Sequence, residues 1–170
     1  TITGQDQGRI LEENHEYSPK WGVSYGHTFS EGRTDPEAIK GELAIGIERI
    51  CYRMRAYGIR SSSFGGHIGF DKNDYPSIGF RFVTPSFTHI TKYVYDACMR
   101  ELAELIDSFC HRKMAIRSLM ISTQDMDKTS QMNLFFRDEA EHTQRYEAID
   151  RINNRYGKGT VTTARSLYRV

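Results

Sequence analysis

Residues 61–83 read SSSFGGHIGFDKNDYPSIGFRFV, and the prediction of the fold class starts from their pattern. Bulky apolar residues alternate with small or polar residues in two runs, 61–70 and 77–83, and the polar residues Lys72-Asn73-Asp74 lie between the runs. Such alternation is typical of β-strands that bury one face, and the polar residues between them are typical of a turn. The stretch therefore predicts a β-hairpin. One face of it is apolar, and the other carries Ser63, Gly65, His67, Gly69 and Arg81.

The same alternation recurs on both sides of the hairpin, in residues 21–29 and 115–123, which predict two further strands. Apolar residues at steps of three and four predict helices over 35–57 and 88–110. The resulting order β-α-β-β-α-β over residues 21–124 predicts an α+β fold, with a four-stranded antiparallel sheet covered on one face by two helices. A C-terminal helix over 138–156 and a short strand over 159–165 are predicted to follow.

The uncovered face of this sheet is predicted to be small and polar, with serines, glycines, His27 or its neighbours, and Arg81. This pattern has two interpretations. Hydroxyl groups, backbone N–H groups and scattered cations, joined by the basic residues of 151–170, suit contacts to a phosphate backbone without base reading. The other interpretation is an ordinary solvated sheet face, because the net charge of the chain is only +1.

Composition limits the class of protein. With 170 residues, 19.6 kDa and 38% hydrophobic residues, the chain is long enough for a packed core, and composition excludes a disordered chain. No run of about 18 apolar residues occurs, so no membrane partner is expected. Three cysteines without C-x-x-C spacing predict a reduced, cytoplasmic compartment. The start lacks Met and a signal pattern, so we expect part of a longer, non-secreted chain.

A second motif lies in the polar segment 125–137. Its residues have the character of a peptide anchor, in which two apolar side chains fill a pocket of a partner and a glutamine fixes the register. Alternatively, the apolar side chains belong to the core of this chain. The residues are Gln131, Met132, Asn133, Leu134, Phe135 and Phe136.

No constellation in the sequence supports catalysis or metal binding. The six histidines show no H-x-x-x-H or H-E-x-x-H spacing, and no phosphate-binding glycine loop occurs. Acid pairs such as Glu101 with Glu104 lie at helical positions typical of a solvated face. We therefore predict no catalytic residue, no metal ligand and no cofactor in this chain.

Taken together, these segments resemble the C-terminal part of a bacterial Y-family translesion DNA polymerase of the UmuC type. Residues 22–29, GVSYGHTF, resemble the first strand of the little-finger domain, and the β-α-β-β-α-β order is that of the same domain. Residues 131–136 resemble the Q-x-x-L-F peptide that binds the sliding clamp. Residues 148–160, AIDRINNRYGKGT, resemble the D-x-I-x-x-R-Y-G-x-G tail of UmuC-type chains.

The resemblance implies four segments: the end of the thumb and a linker (1–20), the little finger (21–124), the clamp-binding peptide segment (125–137), and a C-terminal helix and strand (138–170). It also implies a parent DNA-directed DNA polymerase, a nucleotidyltransferase of DNA repair and the SOS response, located in the cytoplasm at the nucleoid. The palm that holds Mg²⁺ would lie outside this chain.

The implied partners are primer–template DNA, through the open sheet face, and the bacterial sliding clamp, through Gln131 to Phe136. The positions that match the DNA contacts are Ser24, Gly26, Thr28, Ser63, Gly65, His67, Arg81, Ser118 and Ser122.

Two other functions remain open at this point. A free-standing adaptor would dock on a partner through Gln131 to Phe136 without contacting DNA. A small metabolic enzyme on a ferredoxin-like sheet would need a pocket with convergent titratable groups, because the fold alone does not determine the function.

Overall fold

The computed structural model describes residues 22–71, 75–128 and 138–167. The strands are β1 (Ser24–Arg33), β2 (Ser61–Phe70), β3 (Ile78–Thr88) and β4 (Ile116–Thr123). The helices are α1 (Pro36–Ala56), α2 (Thr91–His111) and α3 (Glu139–Tyr156), and a 3-10 turn spans Ala164–Leu167. The predicted β-α-β-β-α-β order and the α+β fold class are confirmed.

The four strands form one antiparallel sheet in the order β1-β4-β2-β3, so β1 and β3 are its edges. The hairpin β2–β3 pairs Phe64 with Phe82 and Gly65 with Arg81, which confirms the predicted alternation of faces. Register shifts lie between Ser61 and Ser63, between Thr28 and Arg33, and between Gly69 and Phe70, the last two at the start of β4. Edge strands β1 and β3 are longer than the alternation alone indicated.

Helix α1 follows the local signals in its sequence. The Asp35 carboxylate accepts a hydrogen bond from the Glu37 N–H at 3.1 Å, Pro36 opens the first turn, and Gly58 follows the last turn with φ +62°. The apolar stripe of α1 packs onto the sheet, and none of its side chains is more than 2% exposed: Ile39, Leu43, Ile47, Ile50 and Met54.

The core therefore lies between the sheet and the helices α1 and α2. Phe64 and Phe82 stack at 5.3 Å on the helix-covered face, and Phe70 meets Phe109 of α2 edge to face at 5.2 Å. The three cysteines are free and buried, and burial raises the pKa of Cys51 and of Cys98 to about 12. Thiols of this kind are packing residues at neutral pH.

The chain after α3 differs from the prediction. No strand occurs over 159–165, and the 3-10 turn lies at Ala164–Leu167 instead. The reason is that the hydroxyl groups of Thr162 and Thr163 donate to the carboxylate of Glu48 on α1, at 2.8 and 2.5 Å, so tertiary hydrogen bonds replace strand pairing.

Helix α3 packs on the domain through charged contacts. The Arg55 guanidinium on α1 donates two hydrogen bonds to Asp150 of α3, at 2.6 and 3.0 Å, and lies 5.0 Å from the centre of the Tyr146 ring. At the start of α3, Arg60 pairs with Glu139 at 2.9 Å, and Glu139 is the buried residue of the helix.

Residues 1–20 and 131–136 lie outside the described residues, so the four predicted segment boundaries stay predictions. None of the helices in the described ranges is long and apolar enough to cross a membrane.

Candidate nucleic-acid interface

The open sheet face carries all nine residues that the sequence predicted to contact DNA. Strand pairing brings Ser24 opposite Ser122, Ser122 opposite Gly65, and Gly65 opposite Arg81, which makes one continuous row across the four strands. A neighbouring row runs from Gly26 through Met120 and His67 to Gly79, and Thr28, Ser118 and Gly69 form a third. Ser63 lies beside the first row, opposite Val83.

The nine residues differ in their access to a ligand. Ser24, Gly26, Thr28, His67 and Arg81 are exposed, whereas Ser118 and Ser122 are half-buried. Ser63 and Gly65 are buried, although both lie on this face. A ligand on the sheet would therefore meet the exposed set first.

A network of hydrogen bonds explains the burial of Ser63 and Gly65. The Arg81 Nε donates to the Ser63 hydroxyl at 2.9 Å. The Gln124 amide donates to the Ser122 hydroxyl at 3.0 Å, and a Cβ at Gly65 would lie only 3.1 Å from the same amide nitrogen. Gln124 therefore lies over Gly65, and a Cβ at Gly65 would push its amide outward by a few tenths of an ångström.

Gln124 is a residue of this face that sequence reasoning missed. It lies directly after β4 and continues the period-two series that begins with Ser118 and Ser122, so the alternation itself was the available signal. Its exposed amide can both donate and accept a hydrogen bond. Together with His67 and Arg81 it lines a shallow depression of about 390 Å³ on the face.

The turn of chain beside Gln124 is fixed by a half-buried carboxylate. Asp125 accepts hydrogen bonds from the hydroxyl groups of Ser61 and Ser62, at 2.7 and 2.6 Å, and from the backbone N–H groups of Ser62 and Ser63, both at 2.9 Å. Burial raises the pKa of the Asp125 carboxyl, but these four hydrogen bonds outweigh burial and hold the pKa below its ordinary value. The serine run thus serves to hold Asp125 and, through it, the end of β4.

The sequence predicted that His27 or its neighbours would lie on the open face. The neighbours Gly26 and Thr28 lie there, whereas His27 does not. Its ring lies on the helix-covered side, where Nδ1 is 3.4 Å from the Glu42 carboxylate and the ring meets Phe29 edge to face at 4.8 Å. The Tyr25 hydroxyl donates to the same carboxylate at 2.5 Å. The alternation of β1 requires this, because Tyr25, His27 and Phe29 point away from the face that carries Ser24, Gly26 and Thr28.

The peptide Gln131 to Phe136 lies outside the described residues, but both of its flanks are placed. Before it, Arg60 and Asp127 pair through two backbone hydrogen bonds, of 2.8 and 2.9 Å. After it, the guanidinium of the same Arg60 pairs with Glu139. One residue of the domain thus holds the chain on either side of the peptide.

Within the described residues no cluster of three or more His, Cys, Asp or Glu side chains is arranged to hold a metal ion. The open face presents hydroxyl groups, an amide, an imidazole and a guanidinium on a flat support, and these groups can donate hydrogen bonds to a ligand.

A family model and a solved structure are similar to this chain. No curated protein sequence matches the chain. A solved structure described as "Complex of beta-clamp processivity factor and little finger domain of PolIV" is similar at 14% identity and a TM-score of 0.40, over 66% of this chain and 96% of that chain. The model of the impB/mucB/samB family C-terminal domain matches residues 22–134, well over half of the chain, and confirms the resemblance found in the sequence. The chain belongs to the impB/mucB/samB family and contains its C-terminal domain.

Proposed function

We propose that this chain is the DNA-binding and clamp-tethering region of an error-prone translesion DNA polymerase that acts in DNA damage tolerance. In this function the open sheet face grips the phosphates of primer–template DNA, and Gln131 to Phe136 bind the sliding clamp. The observation that carries the proposal is the row Ser24–Ser122–Gly65–Arg81, in a chain that belongs to this family.

The row suits a phosphate backbone for a physical reason. Strands lie about 4.8 Å apart, so the row spans about 14 Å of nearly bare backbone, and a broad charged surface can approach it closely. Serine hydroxyls and the Gln124 amide donate hydrogen bonds to phosphate oxygens, and Arg81 adds a charged donor. None of these groups is arranged to distinguish one base from another, so the contact would be independent of sequence.

Ser63 and Gly65 act indirectly in this proposal. Ser63 accepts the hydrogen bond that orients the Arg81 guanidinium, and Gly65 leaves space for Gln124. The buried members of the face therefore position the exposed donors.

The test is binding of a primer–template duplex over a range of salt concentrations, with Arg81→Gln beside the wild type. Each phosphate contact contributes about −0.9 to the slope of log K against log salt, so Arg81→Gln is expected to make the slope shallower by about 0.9. The matched control is Arg100→Gln, an exposed arginine on α2 that lies off the face. It should leave the slope unchanged.

Two outcomes contradict the proposal. Binding that does not depend on salt excludes phosphate contacts as its source. If the chain does not bind the duplex even at low salt, the adaptor function is favoured, in which Gln131 to Phe136 dock on a partner and no DNA is needed. The net charge of only +1 supports that alternative.

A further inference from the structure

A groove of about 780 Å³ lies between α1, the second half of α3 and the segment that follows α3. Its walls include Arg49 and Arg53 of α1 and Lys158 of the last segment. Ser24 and Gly26 also line it, and both belong to the open face at the β1 edge of the sheet. The groove and the open face therefore meet at one edge strand.

The charge of this groove is unbalanced. Four cations and two acids line it, and both acids are already engaged: Asp150 with Arg55, and Glu48 with hydroxyl groups of the last segment. Within the described residues, Arg49, Arg53 and Lys158 have no carboxylate within ion-pair distance. The Arg53 guanidinium donates to the backbone carbonyl of Ser24, and Arg49 lies 5.2 Å from the centre of the Tyr25 ring.

Arg49 and Arg53 are four residues apart on α1, where like charges destabilise a helix. Burial, and to a smaller degree the charge of Arg49, lowers the pKa of Arg53 against the opposing effect of Tyr57. A negatively charged ligand between the two arginines would remove this repulsion. The arrangement is thus suited to an anion.

Aromatic rings stand beside these cations. Tyr52 of α1 and Tyr57, the residue that caps α1, both line the groove, and Tyr52 is held in place by a hydrogen bond from its hydroxyl to Asn154 of α3 at 2.6 Å. Cations interleaved with aromatic rings along an open groove are typical of surfaces that bind single-stranded nucleic acid, because phosphates meet the cations and bases stack on the rings.

We infer that this groove binds single-stranded DNA, which passes to it from the open face over the β1 edge. The inference rests on the proposed function for the duplex, and it adds a second site with its own residues. A single phosphate ion would leave most of 780 Å³ empty and would not use the rings. A strand that leaves the duplex at Ser24 and Gly26 uses the volume, the cations and the rings together.

The test is binding of a single-stranded oligothymidylate and, separately, of a duplex. The groove variant is Arg49→Gln/Arg53→Gln/Lys158→Gln. The matched control, Arg100→Gln/Arg112→Gln/Lys113→Gln, removes two arginines and one lysine at exposed positions outside the groove. The groove variant is expected to lose single-strand affinity at least about tenfold and to make the salt slope shallower by about 2, since each contact contributes about −0.7 on a single strand. The control should keep both values.

A second pair of variants tests the stacking of bases. Tyr52→Leu is expected to weaken single-strand binding about fivefold or more, whereas Tyr52→Phe keeps the ring and should retain most of the affinity. Inorganic polyphosphate serves as the competitor without bases. The inference would be overturned if Tyr52→Leu bound oligothymidylate as tightly as the wild type does and polyphosphate competed equally well in both proteins. The groove would then bind polyanions by charge alone.

The two proposals fail in different ways. If Arg81→Gln weakens duplex binding but the groove variant binds oligothymidylate as the wild type does, the groove inference is wrong and the proposed function stands. If the wild type binds neither nucleic acid at low salt, the proposed function fails and the groove inference fails with it.

Discussion

His89 illustrates how one residue can set the response of this domain to acid. Its ring is largely buried in the connection between β3 and α2, and neither ring nitrogen has a hydrogen-bond partner among the residues that the structure describes. Its backbone carbonyl accepts a hydrogen bond from Arg55 at 2.9 Å, so the cation is held nearby. Burial, followed by the charges of Arg60 and Arg55, lowers the pKa of His89 to about 4.

We expect His89 to make the folded state less stable in acid. The unfolded chain takes up the proton at about pH 6.5, whereas the folded chain does so only at about pH 4, so stability falls as the pH drops through that interval. The full loss corresponds to about 3 kcal/mol. His89→Phe should flatten this part of the pH profile, measured by urea unfolding at several pH values. His111→Gln, at an exposed position, is the control, and an unchanged slope in His89→Phe would refute the assignment.

For single residues, the sequence predicted the environment of a side chain only where adjacent residues in the chain determine it. Alternation alone placed Ser24, Gly26 and Arg81 on the open face, because side chains of a strand point to opposite faces in turn. His89 and Asp125 owe their environments to residues far away in the chain, and no local pattern marks them. Gln124 lies between these cases, since the period of β4 includes it.

Among the elements, α3 differs from α1 and α2 in what holds it. Helices α1 and α2 bury apolar stripes, and their positions followed from steps of three and four in the sequence. Helix α3 packs through Arg55–Asp150 and Arg60–Glu139, pairs that join residues about 80 to 95 positions apart. Its existence was predictable from periodicity and Gly157, but its docking was not.

Asp150→Asn is expected to loosen α3 from the domain. Arg55 is only 8% exposed, and a buried cation that loses its partner is costly, here about 2 kcal/mol. Hydrogen exchange of the α3 backbone should become roughly 30-fold faster, while exchange in β2 and α1 stays slow. Glu147→Gln, an exposed change on the same helix, is the control. Equal protection of α3 in both variants would show that the ion pair does not hold the helix.

At the scale of the whole molecule, DNA and the clamp are proposed to act as two contacts on one chain. The open face has few charges, so its own grip on DNA is expected to be weak. A second, tethered contact raises the effective concentration of the first without changing either contact. The family could be predicted from the sequence because its motifs are short and local; the relative placement of the surfaces required the structure.

The clamp contact is tested by binding to the bacterial sliding clamp, wild type beside Gln131→Ala/Leu134→Ala/Phe135→Ala. A short anchored peptide gives roughly micromolar affinity, about 8 kcal/mol, and the triple change should remove most of it. Met132→Ala/Asn133→Ala is the control within the same peptide and should retain more of the affinity. Absence of binding by the wild type, with duplex binding intact, would exclude this peptide as a clamp contact.

Arg60 limits the reach of the peptide segment, because it holds the chain both before and after the peptide. Asp127 and Glu139 lie before and after the peptide in the chain, and both residues are held by Arg60. A residue spans at most about 3.5 Å. Residues 128–138, whose two ends are tied to Arg60, can therefore reach outward on the order of 20 Å at most. A partner bound by the peptide within that radius lies close to the domain, and the range of relative orientations of the two is small. If Gln131 to Phe136 bind the sliding clamp as proposed, Arg60 limits the distance between the clamp and this domain.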